Sequence, residues 1–182
     1  MYASNAAIVG GAWQVVPDAT AAGGARISNP DAGAAKVNTA LAAPASYIEL
    51  TFHAEANTAY RLWIRGRATN DYWGNDSVHV QFSGSVDSSG APVHRIGTTS
   101  AAWVNIEDCS GCGLSSWGWQ DNGYGGLGPA IYFATAGTQT LRIQSREDGV
   151  SIDQVVLSGS AYLTAAPGAL KNDATILPRS GS

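Results

Sequence analysis

Hydrophobic and polar residues alternate along several short stretches of this chain. In YIELTF (Tyr47–Phe52), Ile48, Leu50 and Phe52 share one face and Tyr47, Glu49 and Thr51 the other, the pattern of a half-buried strand. The same alternation turns Tyr60, Leu62 and Ile64 inward in YRLWIRGR, and Val78, Val80 and Phe82 in SVHVQF. It does so again for Val104 and Ile106 in AWVNI and for Leu141 and Ile143 in TLRIQSR. In VSIDQVVL the inward phase set by Val150 and Ile152 moves to Val155 and Leu157, which predicts a β-bulge near Asp153–Gln154. No segment keeps a helical apolar period long enough for a helix, and the Ala-rich stretches near Ala19–Ala25 and Gly33–Ala35 are broken by Gly. Strands with alternating faces, each bounded by turn residues and without an internal repeat, predict an all-β fold, an antiparallel β-sandwich or jelly roll.

The patterned region ends at Leu163, so one sandwich is expected over residues 1–163. Beyond it TAAPGALKNDATILP contains Pro and Gly but no strand pattern. Residues 164–182 read as a linker or as an irregular C-terminal tail packed along the domain. Met1 and the closing Arg179–Ser182 read as additions to the natural chain and are set aside.

Composition narrows the class. The hydrophobic share of 45% is that of a globular protein, while the charged share of 13% is low and 22 residues are Gly, as in a loop-rich extracellular module. A net charge of −4 without a Lys/Arg cluster argues against nucleic acid or an anionic membrane, whose phosphates require a basic footprint. No apolar run approaches the roughly 20 residues of a membrane span. The start, MYASNAAIVGG, lacks the charged and apolar regions of a signal peptide. The low charge and high Gly content lead to the expectation of a secreted or cell-surface location as part of a larger exported protein, from which this chain would be trimmed, and of a monomeric module.

The stretch CSGCGLSSWGWQDNGYGG (109–126) sets two Trp and a Tyr among Gly, Ser, Asn and Asp, the residues of turns and surface loops. Such a loop exposes rings. A pyranose offers a face of C–H groups and a rim of hydroxyls, so aromatic planes bury the face while amides and carboxylates take the rim. Three segments carry that chemistry. They are Tyr72 and Trp73 after YRLWIRGRA, then Trp117, Trp119, Gln120, Asp121, Asn122 and Tyr124, then Arg146, Glu147 and Asp148 before the last strand. The other reading of Trp73, Trp117 and Trp119 is that they pin their own loops. Trp13, Trp63 and Trp103 read as packing residues, although Trp63 and Trp103 are out of phase with the inward apolars and could form a flat platform.

The ordered set GGAWQVVPDATAAGGARI, YIELTFHAEANTAYRLWIRGRA, NDSVHVQF and EDGVSIDQVVL, with CSGCG…WGWQDNGYG before the last strands, resembles the galactose-binding-like sandwiches of carbohydrate-binding module families 6 and 35. It is most like bacterial versions within multidomain proteins. The likeness runs from Ile8 to Leu157. It implies a non-catalytic polysaccharide- or oligosaccharide-binding module, with a sugar cleft on the loops just named. It also implies a structural Ca²⁺ with Asp153 as a ligand; Asp18, Asn29, Asp31 and carbonyls are candidates for the remaining oxygens.

Cys109 and Cys112 make a single CxxC. Without a second pair or neighbouring His it is a weak zinc signal, and the alternative is a local disulfide bracing the Trp-bearing loop. Two other functions compete with sugar binding. A structural or adhesive module would carry a broad apolar patch away from the loops. A glycan-active enzyme would need two carboxyl groups facing one bond; adjacent Glu147 and Asp148 tend to opposite faces of an extended chain, either could pair with Asp121 across the cleft, and no nucleophile elbow or metalloprotease motif is present.

Overall fold

The alternating runs pair as antiparallel strands. The computed structural model describes residues 1–107 and 116–179. Its strands are β1 (Ala7–Val9), β2 (Gln14–Pro17), β3 (Ala25–Ser28), β4 (Tyr47–Ala54), β5 (Arg61–Ala68), β6 (Ser77–Phe82), β7 (Ser85–Val86), β8 (Ala102–Asn105), β9 (Gly118–Asp121), β10 (Tyr132–Phe133), β11 (Gly137–Ser145) and β12 (Val150–Ser158). Two five-stranded sheets, ordered β1-β4-β11-β6-β8 and β2-β3-β12-β5-β9, form the sandwich, with a small β10-β7 ribbon beside them. Among the described residues no helix is long and apolar enough to cross a membrane.

The predicted inward residues make the core. Ile48, Leu50, Val80, Phe82, Leu141 and Ile143 of one sheet join Ile27, Leu62, Ile64, Ile152 and Val155 of the other in one buried cluster. Phe133 is met edge-on by Phe52, Tyr60 and Phe82, with centroids 5.5, 5.8 and 6.0 Å away, the arrangement that ring quadrupoles favour. The bulge falls where the phase change places it. Ile152 opposes Gly66 and Gln154 opposes Arg65, so Asp153 is the extra residue and Val155 returns to the core.

The second sheet is covered on its outer face by residues 162–177, which strap the sandwich without forming a strand. Trp63 Nε1 donates to the Tyr162 carbonyl at 2.8 Å, Gln120 Nε2 to Leu170 at 2.8 Å, Trp119 Nε1 to Thr175 at 3.3 Å and Gln154 Nε2 to Leu177 at 2.8 Å. A Cβ on Gly118 would collide with the Leu170 carbonyl oxygen, so Gly118 lets the strap lie directly on β9. Beneath it Arg65 pairs with Asp153 and donates through Nε to Asp173 at 3.1 Å. Of the two readings of the tail, a packed irregular segment describes residues 164–177.

Candidate functional site

An open cleft of about 480 Å³ lies at the seam where the edge strands β8 and β9 of the two sheets approach each other. Alternation along β8 buries Ala102 and Val104 and turns Trp103 and Asn105 outward. Trp103 stacks on Tyr124, with centroids 6.4 Å apart and planes 25° from parallel. The third ring is Trp73, 62% exposed, beside Tyr72 in the turn after β5. Backbone conformation aims that turn: Asn70 and Asp71 have φ of 59° and 51°, the left-handed region in which Asn and Asp are the best-tolerated side chains after Gly.

Charged groups complete the lining. Lys36 Nζ lies 2.5 Å from Glu147 Oε1, and Arg146 lies 3.6 Å from the same oxygen. Arg146 also donates to Ser77 Oγ at 2.7 Å and covers the Trp103 ring at 5.0 Å. Asp76 N donates to Glu147 Oε2 at 3.4 Å, which brings the two acidic residues together. Burial, then Glu147, pushes the Asp76 carboxyl up to about 8, so it holds a proton near neutrality. Burial acts upward on Glu147 too, but hydrogen bonds from Lys36, Ser77 and Asp76 outweigh it and hold the carboxyl below its usual range. The wall therefore offers ionised and protonated oxygen groups, an ammonium and a guanidinium beside three rings.

Of the residues expected at the site, Trp73, Tyr124, Arg146 and Glu147 converge on the cleft, with Tyr72 exposed at its border. The others have different work. Trp117 and Trp119 are 2% and 0% exposed, because the C-terminal strap and Arg67 cover what looks in the sequence like a loop. Gln120 holds Leu170. Asp121 accepts from Gly123 N and Gly128 N, each at 2.8 Å, and Asn122 donates to Pro129. Together they close the loop that presents Tyr124. Asp148 is buried and accepts from Ala32 N and Ala34 N, each at 2.8 Å, pinning the segment that carries Lys36.

Trp103, a packing or platform residue by its sequence pattern, lines the cleft, and Lys36, Asp76, Asn105 and Glu107 join it without having been candidates. The outward phase of Trp103 and Asn105 was the one available signal.

The calcium expectation meets a chemical obstacle. Asp153 Oδ1 accepts from Ala22 N at 2.7 Å, and Oδ2 is engaged by Arg65. A guanidinium already occupies the cation's place, and a divalent ion beside it would be repelled. Asp18 pairs with Arg67, and Asp31 accepts from Asn75. Among the described residues no group of three His, Cys, Asp or Glu side chains is spaced to hold a metal ion. Asp153, the ligand that the resemblance implies, is thus already engaged at both oxygens. Cys109 and Cys112 lie outside the described residues.

The fold defines the class as an antiparallel β-sandwich. The chain is similar to a Podospora anserina GH26-CBM35 β-(1,4)-mannanase, with a TM-score of 0.53 and 16% identity over 88% of this chain and 27% of that one. It is also similar to an exo-β-1,3-galactanase of Phanerochaete chrysosporium, with a TM-score of 0.43 and 12% identity over 86% of this chain and 28% of that one. The chain thus spans little more than a quarter of either enzyme. No family model matches the sequence, and no curated protein matches it.

Proposed function

We propose that this chain is a non-catalytic carbohydrate-binding module of a larger exported protein, and that the Trp73–Trp103–Tyr124 cleft holds the sugar. The observation that carries the reading is the convergence of three exposed or half-exposed rings from distant segments on a wall of hydrogen-bonding groups. Rings of this kind bury the C–H face of a pyranose with little conformational entropy to lose, and Asp76, Asn105, Arg146 and Glu147 match a rim of hydroxyls. The match to 27% of a mannanase chain supports a module within a longer protein.

Binding without hydrolysis is favoured by the carboxyl pair. A glycosidase needs its two carboxyl groups about 5–5.5 Å or 6.5–9.5 Å apart to fit a glycosidic bond between them, whereas Asp76 N already lies 3.4 Å from Glu147 Oε2 and Lys36 and Ser77 engage the same Glu147 carboxylate. Affinity electrophoresis against plant, algal and microbial polysaccharides tests the proposal. One class of polysaccharide is expected to retard the protein, and Trp103→Ala to abolish the retardation. No retardation by any glycan would overturn it.

A further inference from the structure

A second cleft, of about 460 Å³, opens on the other side of the turn that carries Trp73. Arg26 of β3, Arg67 of β5 and Ser151 of β12 form its floor, and Asn70, Asp71 and Ser116 part of its rim. Strand register places the floor on one sheet face, since Ser151 opposes both Ser28 and Arg67 and Arg26 lies two residues before Ser28.

Two guanidinium groups share one carboxylate oxygen here. Asp18 Oδ2 accepts from Arg67 Nη2 at 2.8 Å and lies 3.6 Å from Arg26 Nε. Asp18 Oδ1 is occupied by Thr20, through N at 2.9 Å and Oγ1 at 2.6 Å. Arg26 is consequently short of acceptors: its Nε and Nη1 are buried without a hydrogen-bond partner. Burial and the neighbouring Arg67 charge hold it below its ordinary range, with Asp18 opposing them. Desolvated donors left unpaired are costly, and an oxyanion in the cleft would supply both acceptors and charge. Arg67 is preorganised for it, held over the Trp117 ring at 4.6 Å, while Trp117 Nε1 donates to Thr20 Oγ1 at 2.8 Å. Asp71 Oδ1 accepts from Ser116 N at 3.3 Å.

We propose that the Arg26–Arg67 cleft is a subsite for an oxyanion, the carboxylate or sulfate ester of a charged sugar. Planar guanidinium forks match both groups. A net charge of −4 makes general polyanion attraction a poor rival explanation. Only the identity of the carrier rests on the carbohydrate reading: Asn70 and Asp71 border this cleft while Trp73 and Asp76 border the aromatic one, so a single glycan crossing the turn can touch both.

The test follows the Arg side-chain Nε–H and Trp indole N–H signals of ¹⁵N-labelled protein during titration with sodium glucuronate, sodium sulfate and glucose. Saturable shifts of Arg26 and Arg67 with glucuronate, sulfate or both, and none with glucose, are expected, and the active anion identifies the source. Arg26→Gln should weaken anion binding about tenfold or more, the loss of one charge-assisted hydrogen bond, with the Trp103 response to the retarding polysaccharide unchanged. If Arg26→Gln melts early, Arg67→Lys, which keeps the charge but loses the fork, serves instead. Absence of saturable shifts with either anion, or wild-type anion affinity in a folded variant, overturns the subsite. Anion shifts without any Trp103 response to polysaccharide would uphold the subsite and overturn the carbohydrate reading.

Discussion

Trp103 and Trp119 are the same residue type with opposite fates. Trp103 is 42% exposed and Trp119 fully buried, so their truncations should separate binding from folding. Trp103→Ala is expected to abolish glycan retardation with little change in the urea midpoint. Trp119→Ala should lower stability by about 3–5 kcal/mol, as large-to-small core changes do, while the folded fraction still binds. A Trp119→Ala protein with unchanged stability would contradict its buried role. Asp76 gives a pH signature. Its carboxyl, at about 8 when folded and near 3.8 otherwise, keeps its proton in the fold while the unfolded chain ionises, so its contribution to stability falls as pH rises between about 4 and 8. Glu147 has the opposite sign, contributing above its ordinary 4.5 and losing that contribution as pH falls through its lowered folded value. The pair therefore places maximum stability on the acid side of neutrality. In urea titrations at pH 5 and pH 8, Asp76→Asn should remove most of the loss that the wild type shows on going to the higher pH.

Among the elements, β5 illustrates how far alternation reaches. The inward residues Leu62 and Ile64, with Tyr60 just before the strand, were legible, but Trp63 and Arg65 on the opposite face are buried as well. The bulge in β12 was legible from its shift of phase, yet the partner of its extra residue was not. Arg65 joins Asp153 to Asp173, residues far apart in sequence, and removing it would leave two buried carboxylates without their cation. Arg65→Ala is expected to cost about 3–5 kcal/mol, read by chemical denaturation. The same pairing predicts a melting temperature indifferent to chelator and to added calcium; a calcium-dependent rise would restore the metal reading. Strand β9 lay in a stretch whose Gly, Ser and Asn content signalled a loop. Local composition misled there because the strand is completed by backbone pairing with β5 and by the strap above it.

At the scale of the whole molecule the strap is part of the sandwich. Ending the chain at Leu163 would uncover Trp119 and leave Arg65 without Asp173, so a lower melting temperature and red-shifted tryptophan emission are expected relative to the full chain. Identical melting and emission would show the strap to be dispensable. By itself the sequence determined the all-β class, the inward faces of the main strands and the position of the bulge, since each follows from the two-residue period of a pleated strand. It also singled out Trp73, Tyr124, Arg146 and Glu147, which line one cleft. Tertiary structure decided which aromatics remain exposed, that Arg65 pairs with Asp153, and that Lys36, Asp76 and Trp103 meet in one cleft. Those outcomes depend on which distant segments cover or approach one another, and alternation within a strand carries no information about what packs upon its outer face.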